Sequence, residues 1–363
     1  MKRLICALLS LVLLFALAAC GGGKSNDAPS ASTAPATSSA PPADSGEKIT
    51  VSIQFSFPEM QARSTQAILD KITADSGGRV QFETYYSFSL YGPPDVVGAL
   101  QDGLLDMAGF MTSEYPGLFP LNGLLMGLPF LGFRDISSAT AIYRDLVVNY
   151  EPLRKEMEDA GIIYYSGWVL PPYQLHSMGN AAITEPDFSG LTMMTENGFM
   201  QKMINKYGGA GMLSFPPDFY SNLSNGVADG IVNHLNVLSA FGCLELIKNT
   251  TIFGDGGIYV YPLNYGISPS FWNSLPDDIK AIFLKYADEL TDAGLEYDLQ
   301  MLVDNAAFLE ENANVIHLSD AEIAAWKAAF EDTRVEALAE LSAANPAAEE
   351  TYNKLLDAIK NYK

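Results

Sequence analysis

Two aspartates stand in matching surroundings, and a carboxylate pair is the first arrangement in this chain that could do chemistry. Asp106 closes the run Pro93-Pro94-Asp95, four residues, Leu100, two residues, Gly103, two residues, Asp106. Asp229 closes Pro216-Pro217-Asp218, Leu223 and Gly226 at identical spacing. Two such carboxylates could divide acid and base roles in a hydrolase or lyase. A structural reading of the same spacing is preferred. Pro-Pro-Asp opens a short helix, the leucine faces inward, the glycine supplies the left-handed residue that ends a helix, and the aspartate starts a strand.

The other reactive residue types narrow the options further. His176, His234 and His317 show no metal-ligand spacing and have no cysteine partner, so neither a metal nor a cofactor is expected. Cys243, beside Phe241 and Leu244, reads as a small buried apolar residue. With no Gly-rich phosphate loop, no Gly-x-Ser-x-Gly elbow and no catalytic set, the chain is not expected to be an enzyme. Phe57, Tyr115, Trp168, Phe199 and Phe215 fall at strand ends or helix starts, where aromatic side chains could wall a ligand cleft.

These residues need elements to position them. Alternating residues 49–55, a helical pattern over 59–76 closed by Gly77-Gly78, and alternation again over 80–85 predict a β-α-β opening. The repeated Pro-Pro-Asp unit predicts two α/β lobes built alike. Ligands in open α/β sheets sit at the carboxyl ends of strands, so the site is expected between the lobes. Apolar stretches 162–169 and 258–267 could cross between lobes as hinges. After Leu275-Pro276-Asp277 an amphipathic pattern predicts a helix of over about thirty residues, long enough to brace both lobes. Residues 315–318 read as a strand, Ser319 with Glu322 as a capping box, and a last helix starts near Ala347.

The first residues carry a different signal. Lys2 and Arg3 precede an apolar run over 4–17, and Leu17-Ala18-Ala19-Cys20 resembles the bacterial lipobox. The expectation is a lipoprotein signal over 1–20, Cys20 as the lipid anchor, and a Ser, Ala, Pro and Gly-rich disordered linker over 21–47. Lobe I is expected to comprise 48–171 plus about 259–298, and lobe II 172–258 plus about 299–363. Lys and Arg number 21 against 43 Asp and Glu, a formal net charge of −22, which argues against nucleic acid and anionic lipid as partners.

Several motifs in order resemble the DctP-like solute-binding proteins of tripartite ATP-independent periplasmic (TRAP) transporters. They are Ser76-Gly77-Gly78-Arg79-Val80, Ala99-Leu100-Gln101-Asp102-Gly103-Leu104-Leu105-Asp106, Leu128-Pro129-Phe130-Leu131, Pro186-Asp187-Phe188-Ser189-Gly190-Leu191, Asn222-Leu223-Ser224-Asn225-Gly226-Val227-Ala228-Asp229-Gly230 with Asn233, and Phe271-Trp272-Asn273-Ser274-Leu275-Pro276. The resemblance implies a two-lobed periplasmic-binding-protein-like α/β fold, a small molecule enclosed between the lobes, and delivery to the membrane subunits of a TRAP permease. It also implies a ligand-facing Asn233 and a polar contact near Gln174. Where such proteins carry an arginine that holds the ligand carboxylate, this chain has Met194 in Gly190-Leu191-Thr192-Met193-Met194, and a thioether cannot replace a charged fork. Met194 is therefore expected as apolar cleft wall, with Glu196 as a carboxylate able to meet a cation. A neutral, amphipathic or cationic ligand is preferred over an organic acid, which would have to be held by lysine, helix N-terminal amides or Arg63. The alternatives are a solute-sensing lipoprotein uncoupled from transport and, ranked below it, an extracytoplasmic lyase or hydrolase.

Overall fold

The structure, a computed structural model, describes residues 46–60, 62–179 and 182–362. The expected signal, Cys20 and all but the last two residues of the expected linker lie outside this range. In chain order the strands are β1 (Ile49–Gln54), β2 (Val80–Tyr85), β3 (Met107–Met111), β4 (Ile163–Val169), β5 (Gln174–Ser177), β6 (Thr192–Thr195), β7 (Ala210–Leu213), β8 (Gly230–Asn233), β9 (Asn249–Ile252), β10 (Pro262–Ile267) and β11 (Asn314–His317). They form two sheets, ordered β2-β1-β3-β10-β4 and β11-β9-β5-β8-β6-β7. Each sheet has a parallel trio joined through helices, β2-β1-β3 in one and β7-β6-β8 in the other, with an antiparallel strand laid beside the last member. The result is two α/β lobes.

The repeated sequence unit has one job in both lobes. Gly103 and Gly226 each take φ +67°, the left-handed turn that lets the chain leave a short helix and enter a strand. The aspartate that follows is a pin. Asp106 Oδ2 accepts from the backbone N–H and the hydroxyl of Ser52, both at 2.8 Å, and so ties the start of β3 to β1. Asp229 Oδ2 accepts from the N–H of Thr192 at 2.8 Å and ties the start of β8 to β6. In each lobe the next residues pair directly, Ile53 with Met107 and Met193 with Gly230. Both carboxylates are occupied in holding strand register, which accounts for them without catalysis.

Two connections join the two sheets, residues 170–173 from β4 to β5 and 253–261 from β9 to β10. They run side by side, with Leu170 N–H donating to Tyr261 O at 2.8 Å, Tyr173 N–H to Tyr259 O at 3.0 Å and Ile258 N–H to Tyr173 O at 2.9 Å. A third link is the helix Asp277–Asn312, of 36 residues and hence about 54 Å long. Its first half buries Ile279, Phe283, Tyr286 and Leu290 in the core of lobe I, and Leu309 near its end joins the core of lobe II. Between them Asp298 Oδ2 accepts from Trp168 Nε1 of β4 at 2.6 Å, and its Oδ1 accepts from Asn236 Nδ2 at 2.8 Å. Trp168 belongs to lobe I and Asn236 to lobe II. One side chain of the brace thus holds a group from each.

The chain ends differently from expectation. Helix Asp320–Ala344 buries Trp326 and Phe330 in lobe II, but helix Ala348–Asn361 returns to lobe I, where Tyr352 and Leu355 pack in the same core as Tyr143 and Leu146. The amphipathic face of that helix was legible; which lobe would receive it was not, because either core is apolar. Among the described residues no helix is long and apolar enough to cross a membrane.

Candidate ligand-binding site

The carboxyl ends of the parallel strands bring polar side chains to the junction between lobes. Glu196 follows β6 directly, and its carboxylate is buried, with the residue 7% exposed. Its Oε2 accepts from Asn233 Nδ2 at 2.9 Å and from the Tyr173 hydroxyl at 3.2 Å. The same hydroxyl lies 3.9 Å from Met111 Sδ at the end of β3, so this cluster of lobe II reaches lobe I. Next to it Asn197 Nδ2 donates to Gly127 O of lobe I at 2.9 Å. Burial pushes Glu196 up to about 7, against the opposing pull of Asn233 and Tyr173.

Glu114, three residues beyond β3, comes from the other lobe. Both its carboxylate oxygens are shut off from solvent and neither meets a donor in good hydrogen-bond geometry. Burial first, and then the charge of Glu196, raises it well above the ordinary carboxylate range, with the Met111 backbone amide acting the other way. Around Glu196 stand the mutually stacked rings of Tyr173 and Tyr259, 4.6 Å between centroids, with Tyr261 set edge-on to Tyr173. His176 and His234 are buried behind them. Desolvation lowers His176 to about 4 and His234 to about 3, so both are neutral imidazoles at physiological pH.

Of the residues picked from sequence, the structure brings Glu196 and Asn233 together. Phe57 is half-buried and packs against cores of both lobes, and Phe215 is half-buried just before helix Pro216–Ser224. The rest are corrected. Tyr115 is held in the core of lobe I, its hydroxyl donating to Pro93 O and its ring set against Phe110 and Phe119. Trp168 stacks on Tyr265 and bonds to Asp298, so it belongs to the brace. Gln174 spends both ends of its amide on the connection between lobes, accepting from Phe253 N–H at 2.8 Å and donating to Gly254 O at 3.1 Å. Met194 is fully buried with Phe219, Leu223 and Ile231 in the core of lobe II, because its place in β6 points it into the sheet's packed face. Arg63 is exposed at the first position of helix Arg63–Asp75. Cys243 is buried and free.

Sequence reasoning missed Glu114, Tyr173, Tyr259 and Tyr261. The signal for Glu114 was present: it follows the wholly apolar strand Met107–Met111, the end at which α/β sheets meet ligands. The tyrosines lie on the crossing connections, whose irregular backbone has no sequence period to reveal a facing.

Residues 58–340 match the family described as bacterial extracellular solute-binding protein, family 7, or DctP. The chain belongs to this family. The family is one of extracellular solute-binding proteins rather than enzymes. A solute-binding protein of Verminephrobacter eiseniae (strain EF01-2) is 27% identical over 217 residues, which make up 58% of this chain and 62% of that relative, under two thirds of its length. Among solved structures, a marine metagenome TRAP solute-binding protein in complex with 3-hydroxybenzoate superposes with a TM-score of 0.78 at 22% identity, covering 88% of this chain and all of that one (100%). A TRAP solute-binding protein of Rhodoferax ferrireducens T118 with copurified benzoate gives 0.78 at 18% identity, over 87% of this chain and 98% of that one. DctP proteins and this chain therefore share the two-lobed α/β fold.

Proposed function

We propose that this protein captures a small solute between its lobes and hands it to the membrane subunits of a TRAP-type permease, while tethered to the membrane through a lipidated Cys20. The observation that carries the reading is the cluster of Glu196, Asn233 and Tyr173, with Glu114 of the other lobe within reach of its charge, at the strand ends of two lobes joined by two connections between their sheets, a short link to the last helix and a brace. Such lobes exchange open and closed arrangements, and a solute that touches both stabilises the closed one. Asp106 and Asp229, the carboxylates a lyase or hydrolase would have needed, are spent on strand register. Sensing without transport would use the same cleft and differ only in the membrane partner.

For the solute, the ligands of the solved relatives, 3-hydroxybenzoate and benzoate, support an organic acid as a second reading. The residues of this chain support a neutral, amphipathic or cationic one, since no arginine occurs between Arg154 and Arg334 and the cleft groups are carboxylates, an amide and phenols. A thermal-shift screen over a metabolite library should give a stabilising hit without turnover, because a ligand that binds only the folded state raises its melting temperature by mass action. Asn233→Ala should weaken that hit at least about tenfold, having lost a donor to Glu196 and left it less supported. No hit, or an undiminished one in the variant, would remove the cleft as the solute site. Separately, Cys20→Ala should move the protein from the membrane to the soluble fraction; retention would show that the tether is not a lipid on Cys20.

A further inference from the structure

Buried carboxylates in this protein fall into two groups. Glu156 accepts from the N–H groups of Leu121 at 2.6 Å and Asn122 at 2.8 Å, and from Asn122 Nδ2 at 2.9 Å. Asp298 accepts from Trp168 and Asn236. Both are accounted for as structural acceptors. Glu114 and Glu196 are not. Glu114 Oε1, Glu114 Oε2 and Glu196 Oε1 are buried with no donor in good hydrogen-bond geometry, and on the same segment as Glu114 the hydroxyls of Thr112, fully buried, and Ser113 also lack partners.

Buried polar atoms in native proteins are nearly always paired, so a concentration of orphans at one spot calls for a partner from outside the chain. The character of the orphans says what kind. Once the pair is ionised all three carboxylate oxygens are acceptors, and no lysine or arginine figures among the neighbours that act on either group. A carboxylate ligand would find no lysine or arginine at this spot to hold it. A primary ammonium brings three N–H donors and a positive charge, one donor for each orphan oxygen. The tyrosine rings alongside suit a cation or the apolar body attached to it.

Resting on the reading of the cleft as the solute site, we propose that the solute is an organic cation whose primary ammonium is seated between Glu114 of one lobe and Glu196 of the other. Each lobe contributes one carboxylate, so the ammonium favours the closed arrangement. In the absence of a cation burial raises Glu114 well above the ordinary carboxylate range and Glu196 to about 7, so the pair keeps part of its protons at neutral pH, and seating the ammonium ionises it with their release. The surrounding Tyr173, Tyr259 and Tyr261 are pushed above their usual value and His176 and His234 below theirs, so none of these competes for the protons near neutrality.

The test compares matched probes by calorimetry and thermal shift at pH 7.5: 2-phenylethylamine, tyramine and cadaverine against 3-phenylpropionate, 3-hydroxybenzoate and hexanoate. Amines should stabilise the protein and release protons, seen as a binding heat that changes with the ionisation enthalpy of the buffer. Glu114→Gln and Glu196→Gln should each cut amine affinity at least about tenfold while keeping the protein folded, since each removes a buried charge rather than a packed side chain. Stabilisation by the carboxylates and not the amines overturns the inference and leaves the cleft as solute site intact. Amine binding unchanged in both variants overturns it as well. If no probe and no member of the wider metabolite library binds, the inference and the reading beneath it fail together.

Discussion

Glu196→Gln should make the ligand-free protein more stable, by about 3 kcal/mol above pH 8 and by almost nothing below pH 4.5. The native carboxyl holds its proton up to about 7, whereas in the unfolded chain it titrates at its model value of 4.5. With the folded value raised, the stability associated with this group is fully present below 4.5 and is lost as pH rises through about 7. Glutamine cannot ionise, so the variant escapes that loss. Two histidines act in the opposite sense. His176 and His234 have depressed values, so they favour the folded state above 6.5 and withdraw that support as pH falls toward 4 and 3. They are unchanged in the variant and cancel in the difference. Urea unfolding of both proteins at intervals from pH 4 to 9 checks this. A variant less stable than wild type throughout would mean that the carboxylate is a structural acceptor like Glu156.

Trp168→Ala should destabilise by about 5 kcal/mol, the largest loss expected from a single side chain here. Trp168 is 4% exposed, stacks on Tyr265, and packs so closely on the brace that a Cβ at Gly294 would come within 2.5 Å of its ring. Truncation leaves a cavity between sheet and brace and takes one of two side-chain donors from the buried Asp298, whose carboxyl burial has already raised to about 6. Trp168→Phe should recover most of the cavity loss and leave only the missing donor, about 1–3 kcal/mol. Denaturant midpoints for the three proteins separate the two contributions. If Trp168→Ala abolished ligand binding at unchanged stability, the residue would be a cleft wall after all.

How much of this the sequence showed depends on whether a residue's role was local. The Pro-Pro-Asp units declared themselves because a helix start, a left-handed glycine and a strand start lie within fourteen residues, and both copies kept the register that Asp106 and Asp229 enforce. The brace was legible for the same reason, as one long apolar stripe with few breakers. Facing across the cleft was not local. Met194 was placed on the wall by analogy with a position that carries arginine elsewhere, yet a methionine gains by turning into the core of lobe II, beside Phe219 and Leu223. Gln174 and Trp168 looked available because their partners, Phe253, Gly254 and Asp298, come from 79 to 130 residues away. Glu114 passed unnoticed although it follows the apolar strand Met107–Met111, because its neighbours in the chain do not tell that it will lie within reach of the charge of Glu196.

The helix Asp277–Asn312 carries one more consequence. An unbroken ladder of hydrogen bonds cannot lengthen, so when the halves of the molecule part, this rod has to flex or slide in its seats, storing elastic resistance like a leaf spring. Its least bulky point on the seat side is Gly294, which lies against the Trp168 ring. Bending is expected to concentrate there, which would set how wide the mouth can gape and return it toward shut when the load is gone.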